Sequence, residues 1–148
     1  MLFKRRLLLR SVVMLSAIAL LPKTVFAKWS EVFDLENTDD ALMGLYESKD
    51  LVESDQIHLK LPEIAENGAV VPVNVKTDLA NVKTISIFAQ KNPQPLAASF
   101  TIPEGTATDV SIRIRLLETM SVMAVVEADG KLYSTQKEVK VTIGGCGG

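Results

Sequence analysis

The residue best suited to chemistry is the single cysteine, Cys146, which lies in the run Gly144-Gly145-Cys146-Gly147-Gly148. Glycines on both sides leave no side chain that can pack against the rest of the protein, so we expect residues 144–148 to form a flexible arm. Fully extended, five residues span about 17 Å. The run therefore predicts one thiol on a slender tether that is able to enter a narrow active site.

The residues near Cys146 provide no means of activating its thiol. No histidine, lysine or arginine lies within five residues of it, so we expect its pKa to stay near the ordinary value of about 8.5. The only histidine, His58, lies on the polar side of an alternating pattern and is expected to be solvated or to act as a cap. The sequence thus predicts no catalytic residue and a thiol that other proteins activate.

Several functions remain open on these residues alone. An odd cysteine in an exported protein is typical either of a reactive carrier thiol or of a structural disulfide between chains. Delivery of a metal ion fits less well because one sulfur has no second ligand nearby, and a tail without any function is a further alternative. An enzyme with its own active site is the weakest class, since no base–nucleophile pair, metal cluster or phosphate-binding loop occurs in the sequence.

The composition excludes several other classes of protein. One cysteine rules out an internal disulfide, and one histidine rules out a site with several histidine ligands. A formal net charge of −2 provides no basic surface for nucleic acid, and 5% aromatic residues make stacking platforms improbable. No metal and no cofactor are therefore expected.

The first 27 residues are typical of a secretory signal peptide. An apolar run over residues 12–21 follows four basic residues, and the sequence VFA at residues 25–27 suits a cleavage site; the four are Lys4, Arg5, Arg6 and Arg10. The run has about half the length needed to span a bilayer, so no membrane contact of the mature protein is expected. The sequence RRLLLR at residues 5–10 favours twin-arginine export over the general secretory route. We therefore expect a periplasmic protein.

Residues 28–55 are predicted to form an acidic helical segment that contains one short helix. Removal of the leader leaves 11 basic and 18 acidic residues, a net charge of −7. Thr38 suits a helix N-cap because Asp39 and Asp40 follow it in the first turn. One helical face would hold Ala41, Leu42, Leu45 and Tyr46. The acidic residues lack the spacing of a calcium loop, so a solvated helical face is expected.

Residues 56–143 are predicted to form an antiparallel β-sandwich. Apolar and polar residues alternate in about seven segments, with turn residues between them; the segments are 57–61, 71–75, 85–87, 96–102, 110–116, 120–126 and 132–143. The Asp129-Gly130 pair indicates a two-residue hairpin. Pro72 inside a good strand indicates an edge or a bulge.

Two stretches of the predicted sandwich, 69–71 and 120–126, are apolar on both faces. A half-solvated sheet has one polar face, so something is expected to cover the second face of these strands. The N-terminal helix and a permanent subunit interface both remain possible covers.

Four stretches of the sequence resemble the SoxY family of the bacterial Sox sulfur-oxidation system. They are LPEIAENG at 61–68 followed by VVPV at 70–73, KNP at 91–93 with Pro95, RIRL at 113–116, and VTIGGCGG at 141–148. The resemblance runs in the same order from about residue 40 to the last residue, and the final five residues are the hallmark of the family.

The resemblance implies an immunoglobulin-like sandwich paired with a smaller SoxZ-like subunit of related fold. It also implies that Cys146 carries inorganic sulfur species, beginning with thiosulfate, while Gly144, Gly145, Gly147 and Gly148 let the arm move between enzymes. The implied enzymes are a SoxXA-like haem cytochrome that attaches thiosulfate, a SoxB-like dimetal hydrolase that releases sulfate, and in some organisms a sulfane dehydrogenase. The carrier itself catalyses none of these steps.

Overall fold

Alternating apolar residues form two β-sheets that pack face to face. The computed structural model describes residues 29–142. The elements in this range are α1 (Trp29–Val32), α2 (Thr38–Tyr46), β1 (Leu51–Glu53), β2 (Ile57–Lys60), β3 (Ile64–Ala65), β4 (Val71–Thr77), β5 (Val82–Ala89), β6 (Leu96–Thr101), β7 (Asp109–Ile114), β8 (Met120–Ala128) and β9 (Lys131–Val141).

The two sheets have six and three strands. The larger has the order β1-β9-β8-β5-β6, with β3 pairing with the far end of β9, and the smaller has the order β2-β4-β7. Neighbours are antiparallel except that β1 and β3 both run parallel to β9. The immunoglobulin-like sandwich expected from the sequence is confirmed, and the two parallel pairings are an addition to the antiparallel arrangement that was predicted.

The core between the sheets is aliphatic, as the low aromatic content implies. Every second residue of β4, β5 and β8 points into it, which is the period of a pleated strand. Its fully buried members include Val71, Val75, Ile85, Ile87 and Val122. Burial of this surface is the main favourable term that holds the two sheets together.

The helices cover the second face of the large sheet. Met123 and Val125 of β8 point away from the main core and pack against Ala41 and Leu42 of α2. The helical layer is therefore what covers residues 120–126, the simpler of the two explanations that the sequence left open. The other doubly apolar segment differs, because Val70 is exposed.

The N-terminal segment departs from its prediction at the N-cap of α2 and in the residues that follow the helix. Asn37, and not Thr38, is the N-cap: its side-chain oxygen accepts the Asp39 N–H at 2.8 Å. The short helix expected within residues 28–55 is α2, and its predicted apolar face belongs to the cluster against the large sheet. The end of the segment differs, because Leu51–Glu53 is a strand that pairs with β9. Three residues are too few to show an alternating pattern. All nine acidic side chains between Glu31 and Asp55 are exposed, as expected for a solvated face.

Two of the local predictions are confirmed in the sheets. Asp129 and Gly130 both have positive φ (50° and 71°) in the turn between β8 and β9, which suits a two-residue hairpin. Pro72 pairs only with Arg113 of β7, because β2 ends at the Lys60–Asn74 pair. Pro72 thus lies on a locally open side of β4, where a missing N–H is tolerated. Within residues 29–142, no helix combines the length and the apolar character that spanning a membrane requires.

A buried hydroxyl network joins the helical layer to the sheet. The hydroxyls of Tyr46 and Ser86 are 2.6 Å apart, Ser86 and Ser99 are 2.8 Å apart, and the Thr84 hydroxyl donates to Tyr46 Oη at 3.3 Å. Burial raises the pKa of Tyr46 above 10.0, outweighing the hydrogen bonds that lower it. The neutral phenol is therefore the form that the folded state prefers.

This network predicts a loss of stability in alkali. Because the folded pKa of Tyr46 is raised, its contribution is complete below pH 10 and declines as the pH rises through the folded pKa. Tyr46→Phe should flatten the pH dependence of the unfolding free energy above pH 10, and should cost about 1 kcal/mol at pH 7 through the lost hydrogen bonds. Urea unfolding at pH 7 to 11 measures both effects. An unchanged alkaline slope in the variant would contradict the assignment.

Candidate functional site: the root of the glycine–cysteine segment

The predicted site residues Gly144, Gly145, Cys146, Gly147 and Gly148 lie outside the described residues. So do the predicted signal peptide and its arginine pair. The structure does describe the chain up to Thr142, two residues before Gly144. The functional geometry that can be built is therefore the root of the glycine–cysteine segment, which we define as Val139 to Thr142 and the groups that hold these residues.

At the root, β9 extends beyond its main partner strand. The pairing of β8 with β9 stops at Met120 and Val139. Past that point β9 pairs with β3, with Ile64 opposite Lys140 and Ala65 opposite Val141 in parallel register. Two backbone bonds fix this pairing: the Lys140 N–H donates to Glu63 O at 2.9 Å, and the Thr142 N–H donates to Ala65 O at 3.1 Å. The short strand β3 thus holds the last described residues of β9.

Val141 is held from another direction by a side chain. Its N–H donates to the Thr119 hydroxyl oxygen at 3.0 Å. The peptide groups of Val141 and Thr142 therefore point to different segments, one to the loop before β8 and the other to β3. The position of the root therefore depends on the positions of both the loop before β8 and β3.

Asn92 holds the loop that contains Thr119. Its side-chain N–H donates to Arg115 O at 2.7 Å, and its side-chain oxygen accepts the Leu117 N–H at 3.2 Å. Lys91 adds a contact of its Nζ to Thr119 O at 3.4 Å and an exposed ion pair with Glu118 at 3.6 Å. One amide side chain thus satisfies a backbone acceptor and a backbone donor of a loop that has no sheet partner of its own.

Gly68 brings a third segment against the root. The Leu116 N–H donates to Gly68 O at 2.7 Å. A Cβ on Gly68 would overlap the carbonyl oxygen of Leu116 and would lie 2.9 Å from Val141 Cγ1. The Asn67-Gly68 pair does form a turn, with the Val70 N–H on Asn67 O at 3.3 Å, but Gly68 is needed here for close approach and not for a positive φ.

The four stretches that suggested a family therefore meet at one end of the sandwich. Residues 61–68 supply β3 and Gly68, residues 91–93 supply Asn92, residues 113–116 lead into the loop, and residues 141–142 form the root itself. Sequence reasoning singled out these stretches but assigned no role to Asn92. It missed Thr119, which belongs to none of the four motifs.

Three large apolar side chains are exposed in segments at the same end. They are Ile64, Val70 and Leu117, each more than half exposed. Ile64 pairs with Lys140, and Leu117 directly follows the residue that bonds to Gly68.

Neither a metal site nor a histidine base accompanies the root in residues 29–142. This part of the chain has no group of three or more histidine, cysteine, aspartate or glutamate side chains that could bind a metal ion. His58, predicted to be solvated or a cap, is exposed and its Nε2 lies 2.7 Å from Asp78 Oδ2. That hydrogen bond lowers the pKa of Asp78. The His58–Asp78 pair is an exposed contact between β2 and the residue that follows β4.

Comparison of the chain with known proteins identifies its family. The model of the sulfur oxidation protein SoxY matches residues 42–146. The chain belongs to the SoxY family. Its structure also resembles that of the sulfur carrier protein SoxY from Chlorobium limicola f thiosulfatophilum, with a TM-score of 0.65 and 46% sequence identity over 71% of this chain and 96% of the other. The family expected from the four stretches is thereby confirmed.

A more distant likeness concerns the fold alone. The superoxide reductase (neelaredoxin) from Ignicoccus hospitalis aligns with a TM-score of 0.52 and 17% identity, over 59% of this chain and 80% of the other. At this identity the two proteins share the sandwich and nothing more is implied. The comparison with curated protein sequences gave no significant match.

Proposed function

We propose that this SoxY-family chain carries sulfur-oxidation intermediates as covalent adducts of Cys146. One observation carries the proposal: the family match extends to residue 146, so Cys146 belongs to the region that defines the family. The solved relative from Chlorobium is described as a sulfur carrier. Carriage of sulfur needs a thiol able to form and release S–S bonds, and Cys146 is the only thiol in the sequence.

The loading step is an oxidative conjugation. The Cys146 thiol and the thiosulfate dianion form a new S–S bond and give a Cys146 thiosulfonate monoanion, one proton and two electrons. The two electrons pass to a partner of the haem cytochrome class, SoxXA-like in this family. The carrier supplies the attachment atom and the partner supplies the oxidant, which agrees with a thiol that has no activating group near it in sequence.

The release step is a hydrolysis. Water attacks the terminal sulfonate sulfur, the bond between that sulfur and the sulfane sulfur breaks, and sulfate leaves together with one proton. The carrier keeps the sulfane sulfur as a Cys146 persulfide. A SoxB-like dimetal hydrolase is the partner class for this step, and a sulfane dehydrogenase would oxidise what remains. No redox change occurs in the hydrolysis itself.

The root limits where these enzymes can bind. Thr142 is the last residue with a described backbone bond, and Cys146 is four residues further along the chain. Four extended residues span about 14 Å. Any enzyme that receives the thiol must therefore bring its active site within that distance of the root, close to Ile64, Val70 and Leu117. We place the carrier in the periplasm, because the predicted twin-arginine leader would export it there, and we expect a SoxZ-like subunit to complete it.

The alternative is an immunoglobulin-like interaction subunit whose cysteine links two chains through a disulfide. Intact-mass measurement on protein exported from cells growing on thiosulfate separates the two functions. A carrier shows added mass equal to one thiosulfate group or to one sulfur atom, located on Cys146 by peptide mapping. A purely linking cysteine shows the free thiol and the chain dimer with neither adduct, and that result would overturn the carrier proposal.

A further inference from the structure

We infer that Thr119 is a positioning residue that sets the point from which the glycine–cysteine segment leaves the sandwich. The inference rests on the proposed carrier function, because it concerns how the enzymes meet Cys146. It draws on the described contacts of the root and on the loop from Arg115 to Thr119.

The first step concerns the backbone donors of the root. Past Val139, the amides of Lys140 and Thr142 donate to backbone oxygens of one segment, Glu63 and Ala65. The amide between them, that of Val141, faces the other way and has a side-chain acceptor, the Thr119 hydroxyl at 3.0 Å. Thr119 Oγ1 is therefore the atom that holds the second side of the strand end, where β8 no longer pairs with it.

The second step concerns the rigidity of this acceptor. The loop of Thr119 is held at Arg115 and Leu117 by both polar atoms of the Asn92 side chain, and at Leu116 by Gly68. Thr119 O is a further acceptor, from Lys91. The hydroxyl thus belongs to a loop with four separate attachments, so its position is determined by the sandwich and not by Val141.

The third step is the consequence for reach. Cys146 is four residues beyond Thr142, the last residue with a described backbone hydrogen bond. Without the Thr119 acceptor the strand end keeps only its two bonds to β3, and if these also opened, the tether would begin at Val139 and have seven residues. The effective concentration of a tethered group falls roughly as the −3/2 power of tether length, so complete release from four residues to seven would lower it about twofold. A strand end held on one side only also varies more in its orientation, which lowers the effective concentration of the thiol further. Fixing Val141 therefore favours entry of the thiol into an enzyme docked on this end.

The test compares Thr119→Val, which removes the acceptor while keeping the shape, with Thr119→Ser, which keeps the hydroxyl. Thr101→Val is the matched control, since Thr101 is an exposed strand residue whose hydroxyl has no hydrogen bond in the described part of the chain. In Thr119→Val, the Val141 amide should lose about tenfold of its hydrogen-exchange protection. Thr119→Ser and Thr101→Val should keep it. Unchanged protection in Thr119→Val would overturn the anchor.

The functional readout is sulfate release from thiosulfate-loaded carrier by the SoxB-class hydrolase. Thr119→Val should lower kcat up to about twofold with the KM for the carrier unchanged, because docking is intact and only the entry of the thiol suffers. Thr119→Ser should restore kcat. The rate at which iodoacetamide alkylates Cys146 should be the same in all variants, since a small reagent needs no positioning.

The remaining outcomes distinguish the positioning role of Thr119 from the carrier function of Cys146. Wild-type kcat in Thr119→Val, or an equal loss in Thr119→Ser, would overturn the positioning role while leaving the carrier function in place. Sulfate release that persists in Cys146→Ser would instead overturn the carrier function. The exchange result at Val141 would stand in that case, because it concerns only the fold.

Discussion

Cys146→Ser should abolish thiosulfate-dependent sulfate release while leaving the unfolding temperature unchanged. A serine hydroxyl cannot form the S–S bond on which loading depends, and Cys146 is the only thiol in the chain. Residue 146 also lies four residues beyond the last described backbone hydrogen bond, so its replacement removes none of the contacts described within residues 29–142. We expect turnover to be lost completely. The unfolding temperature should stay within error of the wild-type value.

Two measurements on the same preparations check this prediction. Sulfate release is followed with the reconstituted cytochrome and hydrolase, and thermal unfolding is followed by circular dichroism. Thr142→Ser is the matched control, because it changes a neighbouring exposed residue while keeping its N–H bond to Ala65. Turnover that survives in Cys146→Ser would exclude the carrier function, and a large drop in its unfolding temperature would point to a structural cysteine.

Gly68→Ala should destabilise the sandwich by about 2–3 kcal/mol, the cost of adding a methyl group to a packed site that cannot widen. The added Cβ would meet the Leu116 carbonyl oxygen, which is backbone, and Cγ1 of Val141 at 2.9 Å. Relief of that overlap would separate Gly68 from Leu116 and break their 2.7 Å hydrogen bond. For a domain of this size the expected fall in unfolding temperature is about 10 °C.

Gly105→Ala is the control for this second prediction. Gly105 has φ of 76° with open space around its Cβ position, so alanine there adds backbone strain without any overlap. Its cost should be about 1 kcal/mol. Urea unfolding of both variants gives the two free energies. If Gly68→Ala costs no more than Gly105→Ala, close approach is not the reason for glycine at position 68.

The sandwich could be predicted from the sequence because apolar and polar residues alternate along most of its strands. Val71, Val73 and Val75 are buried on one side of β4, as their spacing requires, and the Asp129-Gly130 pair forms the turn that its residue types favour. Pro72 was correctly expected at an open side of a strand. Each of these features is decided within a few residues, so local chemistry suffices to predict it.

The features that the sequence did not reveal depend on partners distant along the chain. β1 and β3 have three and two residues, too few for a pattern, and exist because β9 offers each a parallel edge. The helix begins after Asn37 and not after Thr38, since both residue types suit an N-cap and only the observed backbone separates them. The cover of the large sheet was likewise undecided until Met123 was found packed against α2.

The sequence by itself determined the one atom suited to sulfur chemistry and the glycines around it, because a single thiol in a run without packing side chains is visible in composition and order alone. Only the tertiary structure decided how that segment is held. The Thr119 hydroxyl, the Asn92 amide and the missing Cβ of Gly68 come from segments far apart in the chain. Their contacts with the root arise when the sheets pack, and no local spacing encodes them.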